Sequence, residues 1–328
     1  MKRKLLTAAA RVLGAVAIVV FAVWLVVAQP TFRGNSRSQA TVDPLKLRGH
    51  VEVLAQGFYP RDWRHPDNLD KAADYISDQF TSFGYQVERQ PVLFDGYTYH
   101  NVIAERRGTD SPEKILIVGA HYDSVRTTPG ADDNASGVAG LLCLAQALSR
   151  RNLKKTIRFV AFALEEWPVY RSSAMASYQY ARSLKEKNEQ VEGMICLEML
   201  GFFSDAGNSQ LYPFPLMNRW FPKTGNFIAL VGNRKSKRFT RRIASDFKKS
   251  TDLACITLNA PALVVGIDFS DHWSFNKFGY PALMVTDTAF YRNPHYHAPT
   301  DLPETLDFER MAKVVQGLTA SLEKWGHE

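Results

Sequence analysis

The chain has 328 residues, 45% hydrophobic and 22% charged, which excludes a disordered or collagen-like polymer. Its formal net charge is +7, but four of those positives (Lys2, Arg3, Lys4 and Arg11) stand at the N-terminus, so the rest of the chain gives no case for nucleic acid as a partner. Three cysteines, all inside apolar runs, exclude a disulfide framework and are read as buried thiols, with scope for one pair to bridge in an oxidising compartment.

In chain order, the first feature is VLGAVAIVVFAVWLVVA, an uncharged run of 17 residues from Val12 to Ala28. A basic flank ahead of an apolar run is a targeting pattern, and this run is longer than a usual signal-peptide core and at the lower limit for a spanning helix. Residues 1–33 are therefore expected to be a signal peptide, cut near Ala28, or an anchor that joins the protein to a membrane. The positive flank keeps the N-terminus in the cytoplasm and places residues 34–328 outside it. Roughly 290 residues then remain, without repeats, low-complexity tracts or Gly/Ser linkers, which fits one domain around one core.

Apolar residues at helical spacing in NLDKAADYISDQFTSFGY predict a helix ending near Gly84. KILIVGAHYD, from Lys114 to Asp123, opens on a continuous apolar run, as in a strand covered on both faces. ADDNASG then opens an apolar helix, ASGVAGLLCLAQALSRR, with Asp132 read as no more than its cap. TIRFVAFALEE is a second buried strand and SSAMASYQYARSLKE a second helix. GMICLEMLGF, NFIALVG and YPALMVTDT read as further strands, and LDFERMAKVVQGLTASLEKW as a closing amphipathic helix. Strands alternating with helices give the α/β class: a single domain with a largely parallel, mixed central sheet, helices on both faces, and an apolar N-terminal helix before it.

Two stretches stand apart. YPFPLMNRWFPKTGNF, residues 212–227, is aromatic and Pro-rich, and is either a pocket wall or a packed surface loop. In NRKSKRFTRRIASDFKK, residues 233–249, Phe239, Ile243 and Phe247 recur every four residues. That spacing makes an amphipathic helix whose basic face is either solvated or a surface for anionic lipid or substrate.

Several strands run straight into ionisable groups, and in open α/β sheets ligands bind beyond the carboxyl ends of the strands. His121 and Asp123, two apart, point the same way in an extended chain, so Asp123 can orient the His121 ring; the alternative is an exposed His beside an Asx turn. Adjacent Glu165 and Glu166 repel each other unless a cation compensates, and one can hold a metal while the other faces an attacking water. Glu198, inside CLEML, is a charge within a buried run and requires a partner. Of His295 and His297 in NPHYHAPTD, one reads as a metal ligand with the other nearby, the alternative being two solvated loop histidines. Arg126, Arg171 and Arg292 are carboxylate readers or solvated arginines.

Taken in this order, HYD, GADDNASG, ALEE, CLEMLG and YHAPTD resemble the zinc exopeptidase family of bacterial leucyl aminopeptidases, aminopeptidase Y and glutamate carboxypeptidase, from near Ala40 to the C-terminus. The resemblance implies two Zn2+ ions per chain bridged by Asp133, with His121 and Glu198 on one and Glu166 and His297 on the other. It implies Glu165 as general base, Tyr296 as a hydroxyl beside the transition-state oxyanion, and Asp123 as the orienting partner of His121. Zinc-activated water would then hydrolyse a peptide substrate at a chain terminus, most simply as an aminopeptidase. Two positions depart from the pattern: Glu198 stands where the best-known relatives carry Asp, and Trp167 and Pro168 replace small residues. Two other classes stay open: a glutaminyl cyclase-like acyltransferase with one zinc, and a non-catalytic ectodomain that keeps only the fold.

Overall fold

The computed structural model describes residues 2–27 and 42–328. The expected cleavage point at Ala28 and the domain start at Gly34 lie outside the described residues. Helix α1 (Lys2–Val27) leaves Leu13, Ile18, Val19 and Phe21 exposed. Among the described residues no helix is long and apolar enough to cross a membrane. The apolar part of α1, from Val12 to Val27, measures about 24 Å at 1.5 Å per residue, short of a hydrocarbon core of about 30 Å. Reading the N-terminal segment as a membrane span therefore finds no support in the structure.

Eight strands form one sheet: β1 (Val87–Phe94), β2 (Tyr97–Arg106), β3 (Ser111–His121), β4 (Lys155–Phe162), β5 (Gln190–Leu197), β6 (Phe227–Gly232), β7 (Ala254–Asn259) and β8 (Ala282–Thr286). Their spatial order is β1-β2-β4-β3-β5-β8-β6-β7. The centre, β4-β3-β5-β8, is parallel, β2 runs antiparallel to β4, and β6 runs antiparallel to β8. Residues Ile115 to Ala120 of β3 are all buried, which is why that strand reads as a run rather than an alternation.

Helices cover both faces, as β4 shows directly. Phe159 packs on Phe80 of α3 (Pro66–Ser82) and on Tyr85, whereas Phe162 packs on Tyr180 of α5 (Ala176–Glu186) and Phe275 of α7 (His272–Lys277). Residues three apart on a strand point to opposite faces. Both rings are fully buried, and truncating either to Ala would cost about 3–5 kcal/mol. The face of Phe159 also carries α2 (Pro44–Glu52), α4 (Gly137–Leu148), α6 (Lys237–Ser250) and α8 (Phe308–His327), which pack on one another. Gly119 lets β3 pass the Phe162 ring, since a Cβ there would meet it at 2.5 Å.

The β1–β2 hairpin and strand β7 are absent from the elements expected from the sequence. The hairpin turns on Asp95 and Gly96, both at positive φ (49° and 82°), the geometry that an Asp-Gly pair favours in a two-residue turn.

Candidate metal centre

The sheet register assembles the site. His121 closes β3 and pairs with Phe162 at the end of β4, so Glu165 and Glu166 turn over the same edge. Leu197 at the end of β5 pairs with Val285 of β8, and Glu198 follows directly. Ala131–Ser136, the wound segment ahead of α4, brings Asp133 beneath them.

Asp123 organises this edge. It lies 3.2 Å from His121 Nδ1, and it accepts from the backbone N–H of Glu165 at 3.0 Å and of Glu166 at 3.1 Å. With Nδ1 so engaged, His121 Nε2 faces Asp133 Oδ1 at 3.4 Å and Glu198 Oε2 at 3.2 Å. On the other side of Asp133, Oδ2 stands 3.1 Å from His297 Nε2, which lies 3.7 Å from Glu166 Oε1. Two clusters with metal-ligand spacing, His121–Asp133–Glu198 and Asp133–Glu166–His297, thus share one carboxylate, and a third, His121–Glu165–Glu166, draws on the same edge. His295 is not among them; its Nδ1 lies 2.9 Å from Thr300 Oγ1.

The donors fit a divalent cation. Ligand atoms tetrahedrally placed around zinc are about 3.3 Å apart for bonds of about 2.0–2.1 Å, close to the spacings above. Asp133 Oδ1 and Glu166 Oε1 are buried with no hydrogen-bond partner, an arrangement that is costly unless something else binds them. Charge agrees. Burial first, then the neighbouring carboxylates, holds Glu165 and Glu166 well above the usual carboxylate range, and burial raises Glu198. Asp133 sits below that range: burial opposes it, but His121 and His297 outweigh burial. His121, despite burial, is pushed well above its ordinary value by Glu198 and by its bonds to Asp123, Asp133 and Glu198. Positive charge is what this cluster lacks.

A cavity lined by Asp133, Glu165, Glu166, Trp167, Tyr296 and His297 opens over the cluster. Tyr296 stacks on the His297 imidazole, centroids 3.8 Å apart. Beside it lies an apolar pocket of about 100 Å³, lined by Glu198 and Tyr296 together with Met217, Phe221, Ile267 and Phe290. The segment 212–227 therefore lines a pocket.

Two sequence-based expectations change. Asp132 is not a helix cap: its side chain is buried and accepts from Gly201 N–H at 2.9 Å and Asn293 Nδ2 at 2.8 Å. Arg292 is buried and donates to Gln210 and the Phe227 carbonyl, whereas Arg171, which pairs with Asp268 at 2.9 Å, and Arg126 are exposed.

Supporting residues also went unseen in the sequence. Arg61 donates to the carbonyls of Leu54, Tyr122, Pro129 and Gly130. Ser270 Oγ donates to Glu198 Oε2 at 2.5 Å. Asp301 accepts from the backbone N–H groups of Asp132 and Asp133; its only signal was its place in YHAPTD.

A family model, Peptidase family M28, matches residues 101–321, the stretch that carries every residue of the three metal-spaced clusters. The chain belongs to peptidase family M28. Among M28-like relatives it is 40% identical over 302 residues to the uncharacterized protein YfbL of Escherichia coli K12, covering 90% of this chain and 92% of that one. It is 28% identical over 315 residues to a probable leucine aminopeptidase of Arthroderma otae, covering 88% and 76%. Two solved structures share the M28 fold: BSAP, a zinc aminopeptidase from Bacillus subtilis (TM-score 0.68, 16% identity, 87% and 96% covered), and a glutaminyl cyclase from Porphyromonas gingivalis (TM-score 0.63, 20%, 86% and 98%).

Proposed function

We propose that this M28 protein is a two-zinc exopeptidase, an aminopeptidase, acting on peptides outside the cytoplasm. The observation that carries the proposal is the shared carboxylate: Asp133 stands between His121–Glu198 and Glu166–His297, beneath a cavity that also holds Glu165. In this reading Asp133 would serve both ions, His121 and Glu198 would hold one, and Glu166 and His297 the other. Zinc, when bound, supplies Lewis acidity and a water that ionises near neutral pH.

The chain's own residues do the rest. Asp123 fixes the His121 ring and the turn at Glu165–Glu166. Glu165 takes the proton of the attacking water as its oxygen adds to the scissile carbonyl carbon, then delivers that proton to the leaving nitrogen as the C–N bond breaks. Tyr296, on the cavity wall, offers its hydroxyl to the developing oxyanion. The apolar pocket takes the first side chain and favours an aliphatic or aromatic one. Lys2, Arg3, Lys4 and Arg11 around the start of α1 support export of the domain behind it.

The test measures zinc content and turnover on one sample of the full chain, comparing free-amine and N-blocked peptides with and without chelator. We expect about two zinc per chain and chelator-sensitive release of N-terminal residues, with Glu165→Gln keeping metal and losing nearly all turnover. One zinc with cyclisation of N-terminal glutamine would replace this reading with the cyclase, and a folded, metal-free, inactive chain would end both.

A further inference from the structure

We propose that the face bearing Phe214, Leu216 and Leu263 docks onto an anionic lipid surface. Two loops meet there, one within residues 212–227 and one after β7. With Trp220, Pro261 and Val264 they form an open groove whose rim carries Arg234 and Lys237. Large apolar side chains stand outward: Leu263 is 93% exposed, Leu211 61%, Leu216 57% and Phe214 54%. Isolated exposed leucines are ordinary, but a contiguous apolar set rimmed by charge marks an interaction surface.

The charge says what covers it. Helix α6 buries Ile243, Ala244 and Phe247, and Arg234, Lys235, Arg238 and Arg241 on and before it are exposed. Nearby acids are already taken, Asp246 by Lys324, Glu328 by Arg242 and Asp252 by Lys313. Those four cations have no ion-pair partner among the described residues. Apolar tips among unpaired cations suit an occupant that is both apolar and anionic, as the interface of an acidic bilayer is. The same chain also exposes the apolar side chains of α1 behind its own cluster of cations. Met217 and Leu258 line both this groove and the apolar pocket beside Glu198, so docking brings that pocket close to the lipid. This inference stands apart from the peptidase reading, and its test involves no turnover.

The full chain is tested with Leu263→Cys carrying a polarity-sensitive fluorophore; the native cysteines are all buried, which confines labelling to the new thiol. Leu93→Cys, a 68% exposed leucine on β1 at the opposite edge of the sheet, is the matched control and shares the same α1. With vesicles of phosphatidylcholine and phosphatidylglycerol, the label at 263 should brighten and shift to the blue while the label at 93 does not. Each cation near such a surface contributes about fivefold in partitioning, so Arg234→Glu with Lys237→Glu and Arg238→Glu should raise the half-saturating lipid at least about a hundredfold. Should that variant misfold, salt serves instead: molar salt should release the label at 263 of the Leu263→Cys chain with its cations intact. The proposal falls if phosphatidylcholine alone gives the same response, if both labels respond alike, if the signal survives molar salt, or if polyglutamate evokes it in place of lipid.

Discussion

Replacing Arg61 by Met would test whether the loop between His121 and Asp133 is held from below. The guanidinium is fully buried and donates to four carbonyls: Leu54 at 2.5 Å, Pro129 at 2.8 Å, and Tyr122 and Gly130 at 3.0 Å each. Hydrogen bonds from a charged donor are worth about 1.5–3 kcal/mol each, so four amount to about 8 kcal/mol. Against this, burial pushes the guanidinium down from 12.5 to about 10, a penalty of about 3 kcal/mol on the charged form. The net loss in Arg61→Met is on the order of 5 kcal/mol. With an unfolding entropy of about 0.6 kcal/mol/K for a domain of this size, Tm should fall by about 8 °C, read by calorimetry. Arg61→Lys should fall between, because an ammonium has three donors and no planar fork. Because the loop carries two of the proposed ligands, zinc affinity, titrated against a chromophoric chelator, should drop tenfold or more. An Arg61→Met protein that melts within about 2 °C of wild type with unchanged zinc affinity would refute the reasoning.

Asp133→Asn should fall below one zinc per chain while its fold survives; wild-type zinc content by elemental analysis would remove Asp133 from the bridging position. Ser270→Ala should weaken zinc about tenfold by freeing Glu198, without lowering Tm by more than about 2 °C, and equal affinity in the same chelator competition would show that Ser270 does not position that carboxylate. Burial first, then Lys46, depresses His50 to about 4 in the fold, against about 6.5 unfolded, so the unfolded chain binds more protons between those values. The stability this provides is complete above pH 6.5 and is lost as pH falls towards 4, up to about 3 kcal/mol; His50→Gln should lose correspondingly less between pH 7 and 4.5 in urea unfolding, and parallel losses would refute it.

What could be read from the sequence was what local pattern encodes. β3, β4, β5 and β8 are buried on both faces, and their apolar runs gave them away along with the donors at their ends. β1 hid because Glu88, Arg89, Gln90 and Pro91 break its pattern, although Asp95–Gly96 was a hairpin signal in plain view. Asp132 misled because an acid before an apolar helix looks alike whether it caps or, as here, ties Gly201 and Asn293 from inside. Arg61 was invisible for a different reason: its four acceptors lie 7 to 69 residues away, and nothing around YPRDW announces them.

Asp123 has a consequence for when this protein comes to exist as more than a folded chain. One carboxylate touches both the last residue of β3 and the turn that comes after β4, and the other donors hang from β5 and from the loop after β8. A polypeptide only half assembled carries these side chains tens of residues apart and has no such centre. The candidate centre is complete only when β3, β4, β5 and β8 lie side by side, so a chain lacking any one of these pairings lacks part of the donor set.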